Sequence, residues 1–276
     1  MIRIVTDSTS DLSDQQAADL GVTAVAKLYV IFGDKTYQDG VTINNEQFYG
    51  LLKSNPSFPS TSQPSIGDFA NIYEKYKGDS IISIHISRDL SGTMASAEAA
   101  REMVGGDITI IDSRNVNAGL ALLVKMAVDM AKQGATVAQI KERVEAAVPR
   151  TRLIFTLETL ENLRRGGRIG AAQALLGSVM NFKPIITVKD GRLHPVERVR
   201  TKPKAEARLR ELALEELNGQ KTPPIAFMHT ATPEGAQQLA DMCKGDVDIR
   251  AALFIEAGPV VATHAGPGAV GIAYIV

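Results

Sequence analysis

One cysteine, Cys243, and no tryptophan occur among the 276 residues. A lone cysteine excludes any disulfide within the chain, and its neighbours read as a helix end rather than as a catalytic elbow. Long apolar runs are missing as well. Hydrophobic residues make up 45% of the chain, yet no run approaches the roughly 18 residues that a membrane span requires. The opening MIRIVTDSTSD reaches Asp7 after a very short apolar stretch, unlike a secretory signal. A cytoplasmic location is therefore expected. The histidines at 85, 194, 229 and 264 form no HExxH or other close spacing, so a metal site has no support. No GxxxxGK stretch is present to hold a nucleotide phosphate, and no GxSxG elbow marks a serine nucleophile. An excess of either charge is absent too: 30 Lys and Arg face 31 Asp and Glu, which removes a general attraction for nucleic acid.

What is present reads as α/β. IRIV at 2–5 leads into the polar loop TDSTSD, and Ser13 with Gln16 forms a capping-box pattern for a short helix that Gly21 ends. The same order of apolar run, polar loop and helix returns at 80–99 (SIISIHIS, then SRDLSGT) and at 108–133 (ITII, then DSRNVNAG). In the last, Leu120, Leu123, Val124, Ala127 and Ala131 mark one helix face. Three such units imply a parallel sheet, whose ligand crevice lies outside the carboxyl ends of its strands, where these polar loops fall. A helix from Val137 to Val148 leads to the expected division into a parallel-sheet α/β domain, 1–150, and a mixed-sheet α/β domain, 151–276. In the second, Asp190-Gly191 signals a hairpin between 185–189 and 192–199. A helix over 203–217, the strand IAFMHT, and a helix capped by Thr232 with Pro233 at its first position follow. Three more strands are expected near 249–255, 260–263 and 270–275.

Several constellations carry chemistry. FPSTSQPS at 58–65 sets adjacent hydroxyls, Thr61 and Ser62, between Pro59 and Pro64, and the prolines lower the entropy lost in fixing them. The pair reads either as a ligand contact or as an unliganded polar turn; Ser65 with Asp68 is a cap for the next helix. In SRDLSGT, Ser91, Gly92 and Thr93 precede a helix and suit either an anion or simple capping. GPGAVG at 266–271 spells GxGxxG without the βαβ unit that a dinucleotide site needs. It reads instead as a stiff loop beside His264, which either faces a ligand or bonds between strands. Asp7, Asp11, Asp89 and Asp112 fall in strand-end loops, where they cap helices or, less simply, gather for Mg²⁺ or acid/base chemistry. Charge is uneven: residues 150–210 hold 14 Lys or Arg against five Asp or Glu, a segment that faces either an acidic partner or water.

Taken together, IVTDSTSDL, PSTSQPS, SRDLSGT, DS at 112–113, TLENLRRGGRI and THAGPGAVG resemble the DegV family of bacterial fatty-acid-binding proteins, over essentially the whole chain. The resemblance implies a two-domain fold with a long-chain fatty acid in a tunnel between the domains. It further implies a carrier that is no enzyme on its own. A separate ATP-binding kinase subunit would phosphorylate the presented carboxylate for phospholipid synthesis, and no cofactor is needed beyond the lipid ligand. By similarity, Thr61, Ser62, Ser91 and His264 match the carboxylate site. Arg164, Arg165 and Arg168 match the RRGGR segment, and Arg198 and Arg200 lie where a docking surface is expected. Asn115 and Asn117 stand where relatives commonly have serine and glycine, a departure that bears on the inner loop or tunnel. A stand-alone Mg²⁺-dependent kinase or hydrolase on the aspartate loops, and a regulatory lipid-binding module, remain the competing readings.

Overall fold

The computed structural model describes residues 1–55, 57–176 and 182–276. The expected stretch AAQALLGSVMNF thus lies partly outside the described residues. In chain order the strands are β1 (Ile2–Asp7), β2 (Ala24–Ala26), β3 (Tyr29–Phe32), β4 (Lys35–Gln38), β5 (Ser60–Ser62), β6 (Ser80–His85) and β7 (Ile108–Asp112). They continue as β8 (Thr151–Thr156), β9 (Lys183–Lys189), β10 (Arg192–Val199), β11 (Ile225–His229), β12 (Leu253–Glu256) and β13 (Val270–Ile275). The helices are α1 (Asp14–Leu20), α2 (Asn45–Ser54), α3 (Ile66–Lys75), α4 (Thr93–Val104) and α5 (Asn117–Lys132), then α6 (Val137–Ala147), α7 (Glu161–Arg165), α8 (Lys202–Leu217), α9 (Pro233–Cys243) and α10 (Pro259–Ala265).

The strands form a parallel sheet in the order β2-β1-β6-β7, a mixed sheet β10-β9-β8-β13-β11-β12 and a small antiparallel sheet β4-β3-β5. Only β11 and β12 run parallel within the mixed sheet. The isoleucine-rich β6 is buried along all but its first residue, as a strand covered on both faces must be. The capping boxes at Ser13 and Ser65 are both formed. Asp190 and Gly191 turn the expected hairpin, with φ of 50° and 78°, the left-handed pair that such a two-residue turn requires.

Three sequence expectations are corrected. The small sheet was not foreseen, because its strands have only three or four residues and its β5 is wholly polar. The strand expected near 249–255 begins only at Leu253. The segment 260–263 is not a strand: Pro259 opens α10 after Gly258, and the run Val260–Val261 is helical. Tertiary contact overrides its β propensity, since Val260 and Ala262 pack with Leu28, Val30 and Phe48 of the small-sheet layer.

Helix α5 is the shared core. It was expected to bury one face, yet Ala121 and Leu122 are buried as fully as Leu120, Leu123 and Val124. The reason is position, for α5 packs against β1 and β6 of the parallel sheet and against β8, β11 and β13 of the mixed sheet. An apolar helix between two sheets keeps little solvent face, here the Lys125–Asp129 pair and Lys132 toward its end. The β9–β10 hairpin adds a second link. Ser87 Oγ donates to Gly191 O at 2.8 Å, the Arg114 guanidinium donates to Asp190 O, and Arg192 pairs with Asp89 at 2.7 Å.

A β-carbon on Gly191 would overlap Ser87 Oγ, and its φ already disfavours other residues. Gly191→Ala should therefore destabilise the fold by about 1–3 kcal/mol. The check is urea unfolding at unchanged slope; an unmoved midpoint would show that the hairpin does not depend on this contact.

Candidate functional site

A cavity with about 810 Å³ of atom-free space, part of it open to solvent, lies between the strand-end loops of the parallel sheet and the mixed sheet. The loops after β1, β6 and β7 contribute Thr9, Ile86, Leu90, Val116 and Asn117, so the crevice stands where a parallel sheet places one. The mixed sheet supplies Leu153, Phe155, Leu193 and Met228, and α10 supplies Val260, Val261 and Ala265. Most of the wall is aliphatic.

The polar part is concentrated. Thr61, Ser62, Ser91 and His264 all line this cavity. Strand β5 holds the first two: it pairs with β3, Val30 opposite Thr61, and Pro59 and Pro64 flank it. Thr61 Oγ1 lies 2.9 Å from His264 Nε2, and Ser91 Oγ lies 2.9 Å from Thr93 Oγ1 at the start of α4. Gln63 packs on Gly92, where a β-carbon would approach its Nε2 to 3.0 Å. The loop of β5 is thereby seated on SRDLSGT.

His264 is not in a loop, as the sequence suggested, but in the last turn of α10. The first turn of that helix is held by two buried carboxylates: Asp11 Oδ1 accepts from Gly258 N at 2.8 Å, and Asp39 accepts from the N–H of Val260. Negative groups suit a helix N-terminus. Burial, with the Asp39 charge adding to it, raises the Asp11 carboxyl well above the usual range, and burial raises Asp39 to about 6. Asn117, with φ 51°, donates from Nδ2 to Asp11 Oδ2. Asn115 fits beside Gly119, where a β-carbon would overlap its amide. Burial, reinforced by the Arg168 charge, lowers the His264 ring to about 4, so the ring itself is uncharged near neutral pH.

The arginines divide. Arg168 lines the cavity and donates to the carbonyls of Gly166 at 2.8 Å and Leu90 at 3.3 Å. Arg164 pairs with Glu161 and Arg165 stacks on Phe58 at 4.1 Å. Arg198 and Arg200 are exposed and outside the cavity, Arg198 lying over Phe182 at 5.0 Å. The aspartates hold loops: Asp7 accepts from Thr9 and Ile86, Asp89 pairs with Arg192, and Asp112 accepts from Arg114 N. The structure does assemble a Ser–His–Asp set that sequence spacing hid. His85 lies 3.0 Å from Asp7 and 2.6 Å from Ser83, which also receives the Tyr73 hydroxyl. All four are sealed at 0% exposure, so no substrate reaches that serine. Among the described residues no group of three or more His, Cys, Asp or Glu has a metal-holding arrangement, and no helix is long and apolar enough to cross a membrane. Sequence reasoning missed Gln63, Thr9 and the aliphatic wall, because scattered apolar residues carry no local pattern.

The low value of His264 has a definite sign. An unfolded imidazole protonates near 6.5, so between that pH and about 4 the unfolded chain binds the extra proton. The native state then loses roughly 3 kcal/mol from this group as pH falls across the window. Asp39, raised to about 6, acts in the opposite direction over much of the same range. His264→Gln should therefore make the protein gain stability on acidification relative to the unmodified chain. Urea unfolding at pH 7 and 4.5 reads this difference, and parallel curves would contradict a buried neutral ring.

The comparisons with known proteins follow the same outline. A family model described as an uncharacterised protein of the DegV family matches residues 1–276. A DegV domain-containing protein of Deinococcus radiodurans is 41% identical over 274 residues, covering 99% of this chain and 97% of the relative. A solved DegV family protein from Thermus thermophilus, described for its fatty acid binding, superposes with a TM-score of 0.93 at 34% identity, covering 100% of this chain and 99% of the other. DegV of Bacillus subtilis, described as a fatty acid binding protein, gives 0.88 at 31% identity, covering 99% and 98%. With a family model matching residues 1–276 and a relative 41% identical along nearly the whole of both chains, this chain belongs to the DegV family.

Proposed function

We propose that the chain binds one long-chain fatty acid in this cavity and presents its carboxylate to a separate ATP-binding kinase subunit. The observation that carries the reading is the Thr61–His264 contact at the polar part of a cavity whose wall is mostly aliphatic, with Arg168 in its lining. A long acyl chain with one terminal anion matches that division. Each buried methylene contributes about 0.8 kcal/mol, so a dozen offer on the order of 10 kcal/mol before ordering costs. The tail supplies affinity and the head supplies orientation. The fatty-acid-binding relatives from Thermus thermophilus and Bacillus subtilis support the same ligand class.

Neutral donors suit presentation. The Thr61, Ser62 and Ser91 hydroxyls hold the carboxylate, with His264 behind Thr61, and leave an anionic oxygen able to attack phosphorus. A close arginine fork would stabilise that ground state and slow the attack. Docking is assigned to the basic segment, Arg164, Arg165, Arg168, Arg198 and Arg200. In this reading the division runs at 150/151: one domain brings the hydroxyl loops and the other the histidine and the basic surface.

Organic extraction and mass spectrometry of the purified protein should release a stoichiometric long-chain fatty acid. A lipid-free protein with Mg²⁺-dependent ATPase activity would instead favour a stand-alone enzyme. Thr61→Ala should weaken binding of a fluorescent fatty acid by about 1–3 kcal/mol, and unchanged affinity in a folded variant would remove Thr61 from the site.

Arg198→Ala with Arg200→Ala should leave lipid affinity unchanged and slow acyl phosphate formation with the host's kinase subunit. Raising salt should slow the unmodified pair more than the variant pair. Normal phosphorylation with the same salt dependence would move the docking surface to Arg164, Arg165 and Arg168.

A further inference from the structure

The two ring nitrogens of His264 stand in different surroundings. Nε2 lies 2.9 Å from Thr61 Oγ1, whereas Nδ1 is buried with no hydrogen-bond partner among the described residues. What covers Nδ1 is Gly166, the C-cap of α7: a β-carbon there would overlap Nδ1 and stand 2.8 Å from Cε1. The backbone does not require glycine at this position. Its φ of −76° and ψ of −7° are open to any residue. Gly167 is the reverse, with φ 69° and open space around it. In the pair Gly166-Gly167 the second glycine serves the chain and the first serves the ring.

A neutral imidazole carries one N–H. Placed on Nδ1, the proton would be a buried donor with nothing to accept it. It would also lie beside the carbonyl-bound guanidinium of Arg168, whose Nη1 is 2.8 Å from Gly166 O. A lone pair is favoured over an N–H next to that charge. Placed on Nε2, the proton is donated to Thr61 Oγ1, and the Thr61 O–H is left free to donate elsewhere. A carboxylate accepts and cannot donate, so only this arrangement offers it a proton from Thr61.

We propose that Gly166 is a positioning residue: by packing on Nδ1 it fixes His264 as the Nε2–H tautomer, which turns the Thr61 hydroxyl proton toward the bound anion. The proposal rests on the carboxylate reading for its purpose but not for its geometry, which is the approach of Gly166 to the ring.

Nitrogen-15 NMR of the histidine rings in lipid-stripped protein at pH 7 should show His264, identified by its loss in His264→Ala, with a protonated Nε2 and a bare Nδ1. A protonated Nδ1 would overturn the proposal whether or not the protein binds lipid. Gly166→Ala should weaken fluorescent fatty-acid binding about tenfold, as loss of one charge-assisted hydrogen bond does. In a His264→Ala background the same change should cost nothing further, because the ring it strikes is gone. Losses that multiply would show that Gly166 acts elsewhere. Should Gly166→Ala alone fail to fold, the double variant should regain the fold, and its failure to do so would equally count against the contact. Absence of lipid binding in the unmodified protein would sink the fatty-acid reading and leave the tautomer result standing.

Discussion

The contact between Thr61 and His264 joins residues 203 positions apart, and the site depends on both ends being held. At one end, β5 has three residues and a single partner strand, β3. Its stiffness comes from flanking prolines and from Gln63 seated on Gly92. At the other end, α10 is a seven-residue helix, too short to be stable alone. It is fixed by Val260 and Ala262 in an apolar layer and by Asp11 and Asp39 at its first turn. A slip of one helical turn would move His264 by about 5.4 Å, more than a hydrogen bond tolerates. The raised carboxyls are thus the cost of placing an imidazole correctly.

The same constraint accounts for the electrical character of the pole. A fully charged imidazole is opposed by burial and by Arg168, and Arg168 itself is committed to two backbone carbonyls. What remains to meet an anion is a set of neutral hydroxyls, Thr61 backed by the imidazole. The sealed network Asp7–His85–Ser83–Tyr73 uses similar residue types for a different end. It ties β1 to β6 and α3 beneath the crevice, and every member has a partner. Chemistry here is distinguished by access rather than by composition.

The parallel sheet was legible because its three units repeat one pattern, and the hairpin because Asp190-Gly191 is a strong local signal. Thr61, Ser62, Ser91 and His264 were selected from sequence, and the fold gathers them at one cavity. What was not legible is tertiary. Val260 and Val261 read as strand until the small sheet is known, and that sheet has no pattern of its own because three-residue strands complete little more than one period. Asp39 drew no attention, since nothing local sets a carboxylate against a helix that begins 220 residues later. Gly166 has an ordinary helical backbone, so no local signal points to its contact with His264.

The two halves are joined by interactions of unequal strength. Helix α5 buries its apolar side chains against both sheets, and removing such packing costs several kcal/mol for each large side chain. The pair Asp89–Arg192 lies at the surface, where an ion pair contributes about 0–1 kcal/mol. Asp89 and Arg192 are the chain neighbours of Leu90 and Leu193 in the cavity wall. The cavity wall is therefore held by buried apolar packing on the side of α5 and by polar contacts on the side of the hairpin.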